Sequence, residues 1–304
     1  MKKIIYIAGA LMLLFPALAG AQALPFTAAD YDAASLGKAG TNLTETGSIA
    51  DASFSNAAAI PFSDSKFDVS AGYVMWQPSA VKSNIVNVGA AYNANNKFGI
   101  ALGFMYGMNQ PYDITNESGA VKGQYTPTDM RINAGLSWRF IPVLSLGVNL
   151  EYASNTLAEE HLDGAFNADV FLMTKISGIK ATLGVANLGT GITSGTGVKF
   201  SLPASAVLGV GYETTFAQKH GVDVSLDADY FFKGGFAASV GAEYTFNDLV
   251  SARACYRYGG NTVIPSYASV GVGAKFAGVK LDVAYLIASG AMKNTLALSL
   301  GYSF

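Results

Sequence analysis

From Phe67 onward, apolar residues alternate with small or polar ones in segments of about ten, separated by breaks rich in Gly, Asn, Asp and Lys. The last segment puts Leu296, Leu298, Leu300, Tyr302 and Phe304 on one face and Ala297, Ser299, Gly301 and Ser303 on the other. The same split sets Val222, Val224, Leu226, Ala228 and Tyr230 against Asp223, Ser225, Asp227 and Asp229. Ile132, Ala134, Leu136 and Trp138 likewise oppose Arg131, Asn133, Ser137 and Arg139. A period of two with one apolar face is that of a strand between lipid and lumen. Fourteen segments carry it: 67–76, 85–92, 98–108, 131–140, 144–154, 166–176, 179–187, 206–216, 221–232, 236–246, 250–258, 268–276, 279–287 and 295–304. Most have the length that crosses a bilayer at barrel tilt. An even number closes an antiparallel sheet with no free edge. The pattern therefore predicts an all-β chain, a 14-stranded antiparallel transmembrane β-barrel over residues 66–304.

The connections and aromatics agree with that count. Breaks at 93–97, 141–143, 177–178, 217–220, 247–249 and 277–278 are short. Those at 109–130, 155–165, 188–205, 259–267 and 288–294 are longer, and only 233–235 breaks the alternation. Short inner turns and longer outer loops are the habit of outer-membrane barrels, with both termini in the periplasm. Tyr92, Phe140, Phe216, Phe246, Phe276 and Phe304 fall at one set of strand ends, and Tyr106, Tyr152, Phe232, Tyr258 and Tyr285 at the other. Two aromatic girdles at the lipid interfaces are expected of such a barrel.

Composition narrows the class further. The chain has 304 residues, 51% of them hydrophobic and only 13% charged, with 34 Gly, 16 Tyr and 18 Phe. Soluble domains carry about 25% charged residues. No segment after the N-terminus reaches the run of about 18 apolar residues that a membrane helix needs. Lys and Arg number 19 against 21 Asp and Glu, so no basic surplus attracts nucleic acid. The single Cys255 excludes a disulfide framework.

The N-terminus reads differently. Lys2 and Lys3, the apolar run from Ile4 to Leu14, and Ala19-Gly20-Ala21 form a secretory signal peptide over 1–21. Cleavage is expected before Gln22, with Leu24 as second choice, which places the barrel in the outer membrane of a Gram-negative cell. Residues 22–65 do not alternate and are rich in Ala, Ser, Thr, Asp and Gly. A barrel of fourteen strands is too wide to be filled by its own side chains. This segment is therefore expected to fold into the lumen as a hatch, its Asp30, Asp32 and Asp51 meeting cations such as Arg253 and Arg257.

Within it, Ala34-Ser35-Leu36-Gly37-Lys38-Ala39-Gly40-Thr41, followed by Asp51 and Ser55-Asn56-Ala57-Ala58, resembles the N-terminal signature of the PorV/PorQ family, a branch of the FadL-like barrels. The signature residues are Ser35, Leu36, Gly37, Gly40 and Asn56; Lys38 and Ala57 depart from the family's usual Met and Pro. Gly184-Val185-Ala186-Asn187-Leu188-Gly189 and Leu202-Pro203-Ala204 resemble a second family pattern, a strand ending in Asn-Leu-Gly and a Leu-Pro before the next. The resemblance implies one of two roles. PorV-like relatives are components of type IX secretion that bind cargo or partner barrels. FadL-like relatives carry hydrophobic compounds through a hatch and a lateral opening.

No catalytic set is legible. His161 follows Glu159-Glu160 in an expected outer loop and His220 lies in an expected inner turn, neither with a second ligand at metal spacing. The chain reads as a non-enzyme without cofactor. The candidate site is instead the charge expected on the lumen face: Arg131, Arg139, Glu151, Asp169, Asp223, Asp227, Asp229, Glu243, Arg253, Arg257, Lys275, Lys280 and Asp282. Such a set either holds the hatch or lines an aqueous pore. Leu300, Tyr302 and Phe304 resemble the C-terminal signal of the outer-membrane assembly machinery, which together with outer-membrane lipids is an expected partner. Three readings follow: a PorV-like interaction component of a secretion or assembly complex, with a partner barrel, lipoprotein or secreted cargo; a FadL-like channel with a hydrophobic ligand; and a diffusion porin.

Overall fold

The computed structural model describes residues 23–304 except 77–81, 159–160, 194–198, 261, 263 and 290–291. The expected signal peptide, its cleavage point and Glu159-Glu160 lie outside the described residues. Fourteen of the described strands close into one antiparallel barrel. They are β1 Phe67–Trp76, β2 Ser83–Ala94, β3 Phe98–Met108, β4 Thr128–Ile141, β5 Leu144–Ala158, β6 His161–Ile176, β7 Ile179–Gly189, β8 Ser205–Phe216, β9 His220–Phe231, β10 Gly235–Phe246, β11 Val250–Tyr258, β12 Tyr267–Phe276, β13 Val279–Ile287 and β14 Leu296–Ser303. Each pairs with its neighbours in sequence, and β14 closes on β1 from Asp68↔Ser303 to Met75↔Leu296.

The alternation is what sorts side chains between lipid and lumen. Leu102, Leu136, Leu183, Val272 and Leu300 stand exposed on the outside, while Asn133, Asn149, Thr182, Ser239 and Ser299 are buried within. At one end, here the turn end, the strands join in tight reversals. Ser177 and Gly178, the two residues between β6 and β7, both have positive φ, the geometry that matches strand twist in two-residue hairpins, and Asn247 and Asp248 of the three-residue turn before β11 have it too. Both described termini of the barrel, Phe67 and Phe304, meet there with ring centroids 5.5 Å apart.

The loop end is more ordered than its sequence suggests. β4 starts at Thr128 rather than 131, and the β5–β6 ladder runs on to Ala158↔His161, through most of the expected loop 155–165. Above the lipid no apolar face is required, so period two fades while backbone pairing persists. Small antiparallel hairpins, Tyr112–Thr115 with Val121–Tyr125 and Ile192–Thr193 with Lys199–Phe200, occupy two other expected loops. His161 is thus the first residue of β6, and His220 of β9 is no free turn residue. The ring of His220 stacks on Phe216 at 5.1 Å, and its Nδ1 lies 2.7 Å from the Tyr244 hydroxyl.

Candidate functional site

The segment ahead of β1 lies inside the barrel. Among the described residues its regular pieces are a 3₁₀ turn Pro25–Ala28, a short helix α1 Ala33–Leu36 and a 3₁₀ turn Ala57–Phe62. Irregular backbone at membrane depth persists only where protein or water satisfies it. Here wall asparagines do so. Asn133 Nδ2 donates to Ser53 O at 3.1 Å, Asn149 Nδ2 to Ala52 O and Ser55 O at 3.2 and 3.1 Å, and Asn93 Nδ2 to Ser63 O at 3.0 Å. Inward wall glycines let the hatch touch the sheet backbone. A Cβ on Gly147 would sit 2.2 Å from Ala58 N, and one on Gly89 2.4 Å from Ala50 O.

The signature residues take seats in this packing. Asn56 caps the second 3₁₀ turn by accepting from Ala58 N at 2.9 Å, and its Nδ2 donates to Leu43 O at 2.7 Å and Thr182 Oγ1 at 3.2 Å. Leu36 is buried in a cluster with Tyr31, Leu286 and Met292, and its carbonyl accepts from Ser269 Oγ. Gly37 abuts Gly271 of β12, where a Cβ would lie 3.3 Å from the facing Cα. Ser35 Oγ donates to Asp30, and Gly40 has φ 73°.

The charged side chains expected on the lumen face form separate groups. Arg131 and Glu151 are 3% and 4% exposed, with Nε–Oε2 at 2.7 Å; Asn133 and Asn167 saturate the same carboxylate at 2.7 and 2.9 Å. Arg253 bridges Glu243 and Asp282, each at 2.5 Å. Arg257 approaches Asp229 only at 3.4 Å. Arg139 Nη1 donates to Pro61 O at 3.0 Å and covers the Phe62 ring. Asp169 accepts from Asn187 N at 2.7 Å, and Asp227 from Leu43 N at 3.0 Å. Lys280 reaches Asp68 and Gly47 O, both at 3.1 Å. Lys275 stands at the turn-end mouth on Asp248 at 3.1 Å, largely solvated.

The hatch aspartates do not meet Arg253 or Arg257 as the sequence suggested. Asp32 caps α1, accepting from Ser35 N at 2.8 Å, and takes a bond from Ser299 Oγ at 3.0 Å. Asp51 accepts from Ser70 Oγ at 2.8 Å and Asn87 Nδ2 at 3.4 Å. Asp30 accepts from Ser35 Oγ, from Asn42 Nδ2 at 2.8 Å and from Tyr31 N at 3.0 Å. Cross-strand neighbours lie about 5 Å apart. Glu243, directly opposite Arg253, therefore captures it before the hatch can.

One group escaped the sequence reading. Lys38 of the hatch contacts Glu45 and lies 3.6 Å from Asp223, which Lys180 of β7 reaches at 2.7 Å. Lys180 continues to Glu213 at 2.9 Å, and Glu213 to Lys175 at 2.7 Å. Lys180 and Glu213 lie on the small or polar side of the alternation, so the signal was present. Lys38 departs from the family pattern, and that departure places a cation against the wall acids. Burial disfavours its ammonium, but Glu45 and Asp223 outweigh this and hold its pKa above the ordinary value. Burial also pushes the Asp30 carboxyl up to about 6, against the hydrogen bond from Ser35.

Two cavities flank the hatch. The larger, about 490 Å³, opens at the turn end between Asp64, Asp248, Lys175 and Lys280. The smaller, about 120 Å³, lies toward the loop end against Asp227, Asp229, Arg257 and Tyr267. The wall also has an irregular place. β6 and β7 slip register between Ala168 and Val170, Asn187 takes φ 55°, and β7 pairs with β8 only as far as Ala186↔Ser205. Beyond Ala186, β7 runs on to Gly189 without β8 beside it.

A closed fourteen-strand barrel with a segment folded into its lumen ahead of the first strand is similar in fold to solved hydrocarbon transporters and to a FadL homologue. The toluene transporter TodX of Pseudomonas putida has a similar fold, with TM-score 0.62 and 15% identity over 90% of this chain and 98% of that one. The toluene transporter TbuX of Ralstonia pickettii gives TM-score 0.62 at 11% identity, covering 90% and 97%. A Pseudomonas aeruginosa FadL homologue gives 0.56 at 11%, covering 90% and 98%. At these identities the likeness is one of fold. No family model matches the chain and no curated protein matches it, so the PorV/PorQ branch rests on the sequence motifs alone.

Proposed function

We propose that this chain is an integral outer-membrane channel for small hydrophobic molecules, its termini periplasmic and its hatch the gate. The observation that carries this reading is the hatch itself, seated throughout a barrel whose fold is shared with toluene transporters. The departure of β7 from β8 above Ala186 supports it, because apolar Leu24, Ile192 and Leu202 cluster beside Ala153 and Ala165 in the same region. A hydrophobic molecule leaving there enters lipid without crossing the polar lumen. A hatch lying across the lumen speaks against a general diffusion porin. The secretion or assembly role draws on the sequence motifs, the compact loops and the lack of a chemical site, and a detergent pull-down recovering a stoichiometric partner barrel or lipoprotein would restore it.

The test is uptake of labelled toluene and a labelled long-chain fatty acid by cells with and without the protein. Accumulation that depends on the protein is expected, and Ala186→Trp, which fills the space beside the β7–β8 junction, should cut it. Equal accumulation in the two strains rejects the reading.

A further inference from the structure

The two cavities are stacked, not side by side. Asp30, Asn42 and Ser55 of the hatch line both, so the two adjoin at these residues. There Asp30 is held by Ser35 Oγ and by Asn42 Nδ2 at 2.8 Å. The larger cavity reaches Asp64 and Asp248 at the turn end, and the smaller reaches Ile264 and Tyr267 at the loop end. They meet at these hatch residues and extend from there toward opposite ends of the barrel.

The smaller cavity has unpartnered polar atoms in its lining. Asp227 and Arg257 are 3% and 7% exposed, yet Asp227 Oδ1 and Arg257 Nε have no protein partner. Both side chains face that cavity, on one level of the sheet with Ser239 between them. Buried polar atoms in native proteins are partnered by protein or by water. A polar space of this size holds several waters. Acidic residues are also the more numerous in the lining. Aspartates and glutamates outnumber lysines and arginines around both cavities. A low-dielectric lumen with acid excess concentrates cations and repels anions.

We propose that the lumen carries a hydrated, cation-selective path for small inorganic ions, constricted where Asp30, Ser35 and Asn42 of the hatch meet. It adjoins the β7–β8 junction, whose Ala186, Asn187 and Ser205 line the smaller cavity together with its acids. The acids of the loop-end cavity, Asp227 and Asp229, select; the Asp30–Asn42 contact limits flow.

The test is single-channel recording of the refolded full chain in planar bilayers under a potassium chloride gradient. Heat-modifiable gel mobility confirms that each variant has folded. Asn42→Ala removes a neutral side chain from the constriction and should raise unitary conductance by at least about twofold, with the reversal potential staying on the potassium side. Asp227→Asn keeps the acceptor for Leu43 N and should move the reversal potential toward zero. A silent wild type beside a conducting Asn42→Ala channel supports the constriction equally. Silence in both, or current without cation preference, overturns the proposal, leaving a sealed network with trapped water. Neither result bears on hydrocarbon uptake, which is read in cells.

Discussion

At the scale of single residues, the lumen is dominated by charges that are paired before they are useful. Arg131 and Glu151 show this best, because both are buried and each oxygen of the carboxylate is taken. Replacing such a pair by apolar residues can be neutral, but removing one partner leaves the other charge uncompensated, at a cost of about 3–5 kcal/mol. Glu151→Ala should therefore lower unfolding free energy by about that amount in denaturant titrations from detergent. Lys275→Ala, which breaks the solvated pair with Asp248, should cost under about 1 kcal/mol. Equal losses in the two variants would mean that burial of the Arg131 pair carries no special weight.

At the scale of elements, the strands were legible and the hatch contacts were not. Lipid imposes period two on every membrane-crossing segment, so fourteen strands and their inner faces can be read from Leu, Val and Tyr against Ser, Gly and Asp. That constraint ends at the lipid boundary, which is why the extensions of β4, β5 and β6 were missed. Inside the lumen nothing periodic operates. Which acid pairs Arg253 depends on register, and Asp32 is taken by a helix N-terminus, a local bond that a search for cations overlooks. The wall glycines were readable as inward positions, but their use as seats for hatch backbone needs the folded chain. That use is testable at Gly147. Gly147→Ala would place a methyl against Ala58 N and should lift the second 3₁₀ turn while leaving the outer face of β5 unchanged. Limited proteolysis should then cleave within residues 23–65 of the folded barrel faster than in the wild type. Unchanged protection would show that the hatch can shift to accommodate a methyl there.

At the scale of the whole molecule, stability depends on how the hatch is protonated. Burial raises the carboxyl pKa of Asp30 to about 6 and that of Asp51 well above its ordinary value, with Asp32 adding repulsion to both. A carboxyl raised on folding binds its proton more tightly in the folded chain. Its contribution is complete below the ordinary carboxylate pKa and is lost as the pH rises through the folded value. Glu45 acts in the opposite sense, since Lys38 and Lys180 override its burial and hold it below the ordinary value. Its stabilising effect fades only as the pH falls below that of a free glutamate, so the two effects occupy different windows. Between about pH 4 and pH 6 the two aspartates should set the slope for release of the hatch, making it easier as the pH rises. Trp76 reports that release, because its ring packs on Tyr31 of the hatch at 6.1 Å. In a Trp138→Phe background, the thermal midpoint read from Trp76 fluorescence should fall across this window. The double variant Asp30→Asn, Asp51→Asn should flatten the profile. A wild-type midpoint that rises over the same range would show that wall carboxylates, rather than the hatch, govern how tightly the barrel is closed.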